Sequence, residues 1–82
     1  DLAAQIVQLT QEAAGAVCSH IEIHRLHRDP GSAFDVVLTC KLAEEMTLKE
    51  AHERTEKVEQ AIRSRYPEAR HISVHAEPDD GS

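Results

Sequence analysis

Four side chains of this sequence have the types and spacing to ligate a metal ion together. His75 and Glu77 are two positions apart in a strand-like segment, so both project from the same side of it. His24 begins another strand-like segment, and His52 lies in the first turns of a helical one. We expect the four side chains to converge near one end of a sheet.

The chemistry of this set is that of a site for a divalent cation. Imidazole nitrogens and a carboxylate suit zinc, and also divalent manganese, iron, cobalt or nickel. Binding requires neutral imidazoles and should therefore weaken in acid. The sequence contains no His-Glu-x-x-His and no Cys-x-x-Cys motif, so spacing alone is not diagnostic. Taken singly, each histidine fits a solvated surface residue, and we assign His20, His27 and His71 to that class.

The two cysteines, Cys18 and Cys40, are too few for a disulfide scaffold. A reduced, cytosolic compartment is the simpler interpretation, although the sequence leaves a single bridge open. Cys40 alternates in step with the apolar residues of its strand and so lies on the same face as they do. We therefore expect it to be a small buried hydrophobe.

Catalytic patterns are not found in the sequence. No serine lies in a nucleophile-elbow motif, and the glycines at 15, 31 and 81 are too scattered for a phosphate-binding loop. We therefore expect a binding domain rather than an enzyme.

Composition limits the classes of partner. The chain has 82 residues, with 15 acidic and 9 basic side chains and a formal net charge of -6. This balance argues against nucleic acid or an anionic membrane as the main partner, since both need basic patches. No apolar run approaches the roughly 18 residues that span a bilayer. The missing initiator Met suggests a piece of a longer protein.

Two helices are predicted from apolar residues at helical spacing. The first helix is predicted at residues 2 to about 16, where apolar residues form a stripe along one face, and Gly15 marks its C-terminal end. Residues 47–65 form the second helix, which begins with a capping box of Thr47 and Glu50 and stops at Pro67. The predicted stripes are Leu2, Ile6, Leu9 and Ala13 in the first helix, and Leu48, Ala51, Thr55, Val58, Ile62 and Tyr66 in the second.

Three strands are predicted from alternating apolar residues. They span residues 20–28, 34–42 and 71–77, and the turn at 29–32 joins the first two into an antiparallel hairpin. Leu26 breaks the alternation of the first strand, so we expect either a bulge or a strand that begins only near His24.

The predicted order α-β-β-α-β indicates an α+β, ferredoxin-like two-layer sandwich. Both helices would cover one face of a three-stranded sheet, and the other face would be available for a dimer. Residues 1–78 form a single domain in this prediction, and residues 79–82 form a flexible tail.

An ordered series of motifs over about 55 residues resembles the C-terminal cytoplasmic domain of cation diffusion facilitator (CDF) metal transporters. In chain order the motifs are His24-Arg25-Leu26, Glu44-Glu45, Leu48-Lys49-Glu50-Ala51-His52, Val58-Glu59-Gln60-Ala61-Ile62, Tyr66-Pro67 and Val74-His75-Ala76-Glu77-Pro78.

The resemblance implies a metallochaperone-like domain that dimerises in the cytosol below a transmembrane domain. It also implies that His24, His52, His75 and Glu77 occupy metal-ligand positions, with zinc the leading metal and manganese, iron, cobalt, nickel and cadmium as alternatives. Metal binding near the dimer interface would regulate efflux of the cation.

The sequence departs from the resemblance at Thr39, where several relatives have a histidine. Cys40 is adjacent but points to the other face, whereas Asp35 shares the face of Thr39. A single site per chain, or one shared across the dimer, therefore fits better than two metals per chain.

Two other interpretations remain open at this stage. The chain could be a constitutive structural dimer without metal sensing, as Thr39 would favour. It could also be a stand-alone soluble metal-binding protein of the same fold.

Overall fold

Five elements follow one another in the computed structural model, which describes residues 1–79. They are α1 (Leu2–Ala14), β1 (Val17–Arg25), β2 (Phe34–Ala43), α2 (Leu48–Arg65) and β3 (Ala69–Asp79). The order confirms the predicted fold class. Of the tail predicted at residues 79–82, Asp79 is the last residue of β3, and residues 80–82 lie outside the described residues.

Helix α1 has the boundary residues expected from its sequence. The Asp1 carboxylate accepts a hydrogen bond from the Ala4 N–H at 2.8 Å and caps the first turn. Gly15 ends the helix with a φ of 62°, a left-handed conformation that glycine adopts without strain.

The stripe of α1 includes Ile6 as predicted, and Leu2 and Leu9 pack partly buried against the core, but its C-terminal end lies one position later than predicted. Ile6, Thr10 and Ala14 are buried, whereas Ala13 is exposed. Thr10 can be buried because its hydroxyl donates a hydrogen bond to the Ile6 carbonyl oxygen at 2.8 Å.

Helix α2 begins with the predicted capping box. The Thr47 hydroxyl accepts from the Glu50 N–H, and the Glu50 carboxylate accepts from the Thr47 N–H, both at 3.1 Å. Val58 and Ile62 are fully buried, as predicted. Leu48 was expected in the buried stripe but is 91% exposed. Helical side chains tilt toward the N-terminus, so the first residue of α2 projects beyond the end of the helix.

The first two strands form the predicted antiparallel hairpin. In its turn the Ser32 N–H donates to the Asp29 carbonyl oxygen at 3.1 Å, and Gly31 has a φ of 81°. β1 starts and ends three residues earlier than expected, so Leu26 lies outside it. Its irregularity is a bulge between Cys18 and His20.

The sheet has the strand order β1-β2-β3, with β2 antiparallel to β1 and parallel to β3. Parallel neighbours need a crossover connection, and α2 provides it. Helix α1 packs on β1, α2 packs on β3, and the helices pack on each other, so both cover one side of the sheet.

The core lies between this side of the sheet and the two helices. Alternate residues of β2 are buried in it, namely Phe34, Val36, Leu38, Cys40 and Leu42. The Phe34 and Tyr66 rings pack edge to face, with centroids 6.2 Å apart. Arg54 of α2 joins the two helices, since its Nη1 donates to the Ala14 carbonyl oxygen at 2.6 Å.

Candidate metal-binding face

The side of the sheet away from the helices carries most of the histidines. We call it the open face. Residues paired across neighbouring strands project to the same side of the sheet. The half-buried residues of β2 alternate with its buried ones and face away from the helices. Their partners in β1 and β3 therefore lie on the open face as well. The open face comprises Val17, His20, Glu22 and His24 of β1, Asp35, Val37, Thr39 and Lys41 of β2, and His71, Ser73, His75 and Glu77 of β3.

The strand register arranges these side chains in rows that run across the three strands. One row is His24, Asp35 and His71; the next but one is His20, Thr39 and His75. Four of the six histidines of the chain therefore lie on this single face.

The bulge at Ser19 determines which face each neighbouring side chain occupies. Cys18 pairs with Cys40 on the helix-facing side, while His20 pairs with Thr39 on the open face. If the strand were regular through Ser19, Cys18 and His20 would share a face, because they are two positions apart. The Ser19 hydroxyl oxygen lies 3.5 Å from Oε2 of Glu77, so side chains of β1 and β3 meet over β2.

His24 lies in the row of Asp35, near the start of β2. Oδ1 of this carboxylate is buried and accepts no hydrogen bond within residues 1–79, although Arg70 Nε lies 3.6 Å from it.

His75 and Glu77 lie further along the sheet. They pair with Thr39 and Lys41 on the open face and are exposed. The row of His75 is four residues from that of His24, or about 13 Å at the rise of a strand. The row of Glu77 is about 20 Å away on the same basis.

His52 lies in the other layer of the molecule. Its Nε2 is 3.1 Å from Oε1 of Glu56, one turn further along α2, and its side chain is exposed. Both residues border a shallow cavity of about 270 Å³ that Val74 also lines. Val74 points to the helix-facing side of β3, so the sheet lies between His52 and the open face.

The expected convergence of the four predicted ligands therefore does not occur within one protomer. Among residues 1–79, no three or more His, Cys, Asp or Glu side chains are arranged to hold one metal ion. Alternation along a strand predicts the face of a residue correctly. It does not predict the row in which a residue lies, because the row depends on how the strands pair. The strand pairing separates His24 from His75 and Glu77 along the sheet.

Sequence reasoning assigned His20 and His71 to the general surface, whereas the structure places both on the open face. His71 shares the parity of His75, so the alternation could have identified it. His20 likewise shares the parity of His24, and its Nε2 lies 3.1 Å from Oε2 of Glu22.

The two cysteines face the helices as free thiols. Cys40 is fully buried, as predicted, while Cys18 is half-buried and donates to the His20 carbonyl oxygen at 3.1 Å. Burial raises the pKa of the Cys40 thiol from 9.0 to about 11, and the adjacent Cys18 adds to the rise.

Helices of membrane-spanning length and apolarity are not present in residues 1–79.

Solved structures with the same fold include variants of the MamM CTD. A double variant superposes with a TM-score of 0.83 at 20% sequence identity, covering 94% of each chain. A single variant has a TM-score of 0.79 at 22% identity, covering 94% of this chain and 92% of that one. A further variant, described as a nickel form, has a TM-score of 0.79 at 22% identity, covering 94% of each chain.

A search of curated protein sequences gives no significant match. A family model does match: residues 3–79 fit ZT_dimer, the cytoplasmic domain of cation efflux proteins. This match spans nearly the whole chain and confirms the resemblance drawn from the ordered motifs. The chain belongs to the family of cation efflux protein cytoplasmic domains, in which this domain dimerises.

Proposed function

We propose that the chain is the regulatory cytoplasmic domain of a divalent cation efflux transporter, which it controls by binding metal and dimerising. The transmembrane domain of the parent transporter would move the ion. The role of the present domain is binding, and it catalyses no reaction.

The concentration of ligand-type side chains on one uncovered sheet face carries this proposal. Four histidines lie there together with the carboxylates Glu22, Asp35 and Glu77. Nitrogen and oxygen donors of this kind suit zinc and the neighbouring divalent metals. A face with only a structural role would gain little from so many imidazoles.

We propose that a second copy of the chain completes the coordination. His75 and Glu77 offer two donors from one strand, and zinc takes four ligands. His24 is distant from this pair along the sheet and His52 lies in the other layer, so these two would join the same ion only from the facing protomer.

Electrostatics make this arrangement sensitive to metal. Each protomer has a formal net charge of -6, so two copies repel one another when their faces approach. A divalent ion bound between them reduces the repulsion and adds ligands that bridge the two chains. The metal shifts the balance toward the closed dimer only by as much as it binds that form better.

Zinc is the leading metal of the proposal, and manganese, iron, cobalt, nickel and cadmium are alternatives. One MamM CTD variant of the same fold is described as a nickel form. The affinity of such ligands for divalent metals follows the same general order at most sites. Selection among these metals therefore depends on site geometry and on metal supply.

One observation favours a constitutive structural dimer as the second candidate. Thr39 occupies the centre of the open face between His20 and His75, where a hydroxyl is a poor ligand for zinc. In that case the domain would hold two transporter chains together irrespective of metal.

Sedimentation of the chain with chelator and with zinc distinguishes the candidates. We expect zinc to shift the chain toward dimer, and His75→Ala to remove most of that shift. His27→Ala is the control, because His27 lies between β1 and β2, outside the open face. If the dimer had the same affinity in zinc and in chelator, and His75→Ala did not change it, the structural candidate would be supported instead.

A further inference from the structure

Cys18 and Cys40 are direct partners in the antiparallel ladder of β1 and β2, on the helix-facing side. Opposed residues of such a ladder have Cα atoms about 4.5–5.5 Å apart. Disulfides join Cα atoms about 4.4–6.8 Å apart. The ladder therefore opposes the two cysteines at a Cα separation within the range that a disulfide spans.

Burial decides which chemistry suits this pair. Cys40 is fully buried among apolar side chains of the core. A cation held by two thiolates would place charged groups in that core, which is costly, and two sulfurs leave zinc short of its four ligands. A disulfide is neutral and apolar, so the same surroundings tolerate it.

We propose that Cys18 and Cys40 form a reversible intramolecular disulfide by exchange with a low-molecular-weight disulfide of the glutathione class. This site is separate from the open face and does not depend on the proposed function. The bulge at Ser19 creates it, since regular pairing of Ser19 in the ladder would oppose Ser19 to Cys40 and turn Cys18 to the other face.

The unequal exposure of the two sulfurs assigns their roles. Cys18 is half-buried and within reach of a small reagent, so its thiolate attacks one sulfur of the reagent and expels one thiolate. Cys40 then attacks the Cys18 sulfur of the mixed disulfide and expels the second thiolate, which takes up the Cys40 proton. The two protein protons pass to the two released thiols. The protein loses two electrons, and the reagent gains them.

The bond would join β1 to β2 beside the bulge. It would close the chain from residue 18 to residue 40 into a ring that includes the hairpin turn and most of both strands. Such a cross-link restricts the unfolded chain and therefore stabilises the fold when it introduces no strain.

Intact mass spectrometry after treatment with oxidised glutathione tests the proposal, with free thiols trapped by an alkylating reagent. We expect the wild-type chain to lose the mass of two hydrogen atoms, to carry no adduct and to revert with dithiothreitol. Cys40→Ser should stop at a glutathione adduct on Cys18, while Cys18→Ser should remain unmodified in the folded state. A wild-type chain that stays reduced, keeps the adduct or links to a second chain through Cys18 would overturn the proposal.

Thermal unfolding provides a second readout that does not depend on the fold of the serine variants. The oxidised wild-type chain should melt several degrees above the reduced chain. Cys40→Ala keeps a small apolar side chain in the core, and its melting temperature should be the same in oxidising and reducing buffer. An oxidised wild-type chain that melts below the reduced one would show a strained bond and contradict the geometry argued above.

Discussion

The two sides of the sheet are made from the same strands and yet have opposite properties. On the helix-facing side, Phe34, Val36 and Leu38 are almost completely buried. On the open face, the residues between them, Asp35 and Val37, are only half-buried, and the row beyond includes His75 and Thr39. Parity along a strand therefore separates the residues that stabilise the domain from those available to a ligand or a second copy.

This separation has a physical basis in the small size of the domain. A chain of this length has one core, and each large buried side chain in it accounts for an appreciable share of the stability. The open face contributes much less to folding, so its side chains can be chosen for binding. Substitutions on the two sides should accordingly give different classes of effect.

The largest expected effect is that of Leu38→Ala on the helix-facing side. Removing a fully buried leucine side chain leaves a cavity and should lower the free energy of unfolding by about 2–5 kcal/mol. Val37→Ala, one residue earlier on the open face, should lower it by less than about 1 kcal/mol. Urea denaturation of both variants measures the difference. Equal losses would contradict the division of the sheet.

The response to metal should depend on the open face and not on the helix-facing side. Zinc at 100 times its dissociation constant should raise the free energy of unfolding by about 2.7 kcal/mol if it binds only the folded chain. His75→Ala should lose most of this gain and yet unfold like the wild type in chelator. Thermal unfolding with and without zinc measures both quantities.

His27→Ala is the control for the metal response, because His27 lies between β1 and β2, outside the sheet. It should retain the full zinc effect. If His27→Ala lost as much of the gain as His75→Ala, zinc binding would not be located on the open face.

A smaller effect is expected at the start of α2, in the layer that supports the buried side. Thr47→Ala removes the hydroxyl that caps the helix and should cost about 1 kcal/mol. Thr55→Ala is a matched control, since the Thr55 hydroxyl donates within the helix, to the His52 carbonyl oxygen at 2.9 Å. Denaturant titration should show a clear loss only for the first variant.

The smallest effect is a dependence on pH from the same capping box. Hydrogen bonds from the backbone and the hydroxyl of Thr47 hold the pKa of Glu50 below its usual value of 4.5. A carboxylate with a lowered folded-state pKa stabilises the fold above 4.5 and loses that contribution as the pH falls through the folded value. The melting temperatures of wild type and Glu50→Gln should therefore approach one another in acid. This convergence should be absent when Thr47 is alanine.

Much of the fold could be predicted because its signals are local. The alternation of β2 and the pairing of Thr47 with Glu50 each depend on a few neighbouring residues, and both are found in the structure. The exposed Leu48 was not predicted, because helical spacing does not show how far along the helix the buried stripe extends.

The candidate site was less predictable because it depends on pairing between distant segments. Parity placed His75 and Glu77 on one face, and the structure shows both there, with His24 on the same face. The distance of His24 from the other two follows from the register of β2 with both neighbours, which no local pattern encodes. The bulge at Ser19, which determines the face of Cys18, was not predicted either, because the break in alternation at Leu26 reflects the end of β1 at Arg25.

The bulge at Ser19 also makes this the one point described in β1 where the chain could shorten without exchanging its two surfaces. It acts as a half-period shift in a repeating pattern, and everything N-terminal to it keeps the opposite phase from everything C-terminal. Loss of the Ser19 codon would close the bulge and make Cys18 and His20 consecutive, still on opposite sides of the sheet. Regular pairing of Ser19 with its residue retained would instead present a thiol where the open face now begins, or move the following imidazole and carboxylate toward the helices.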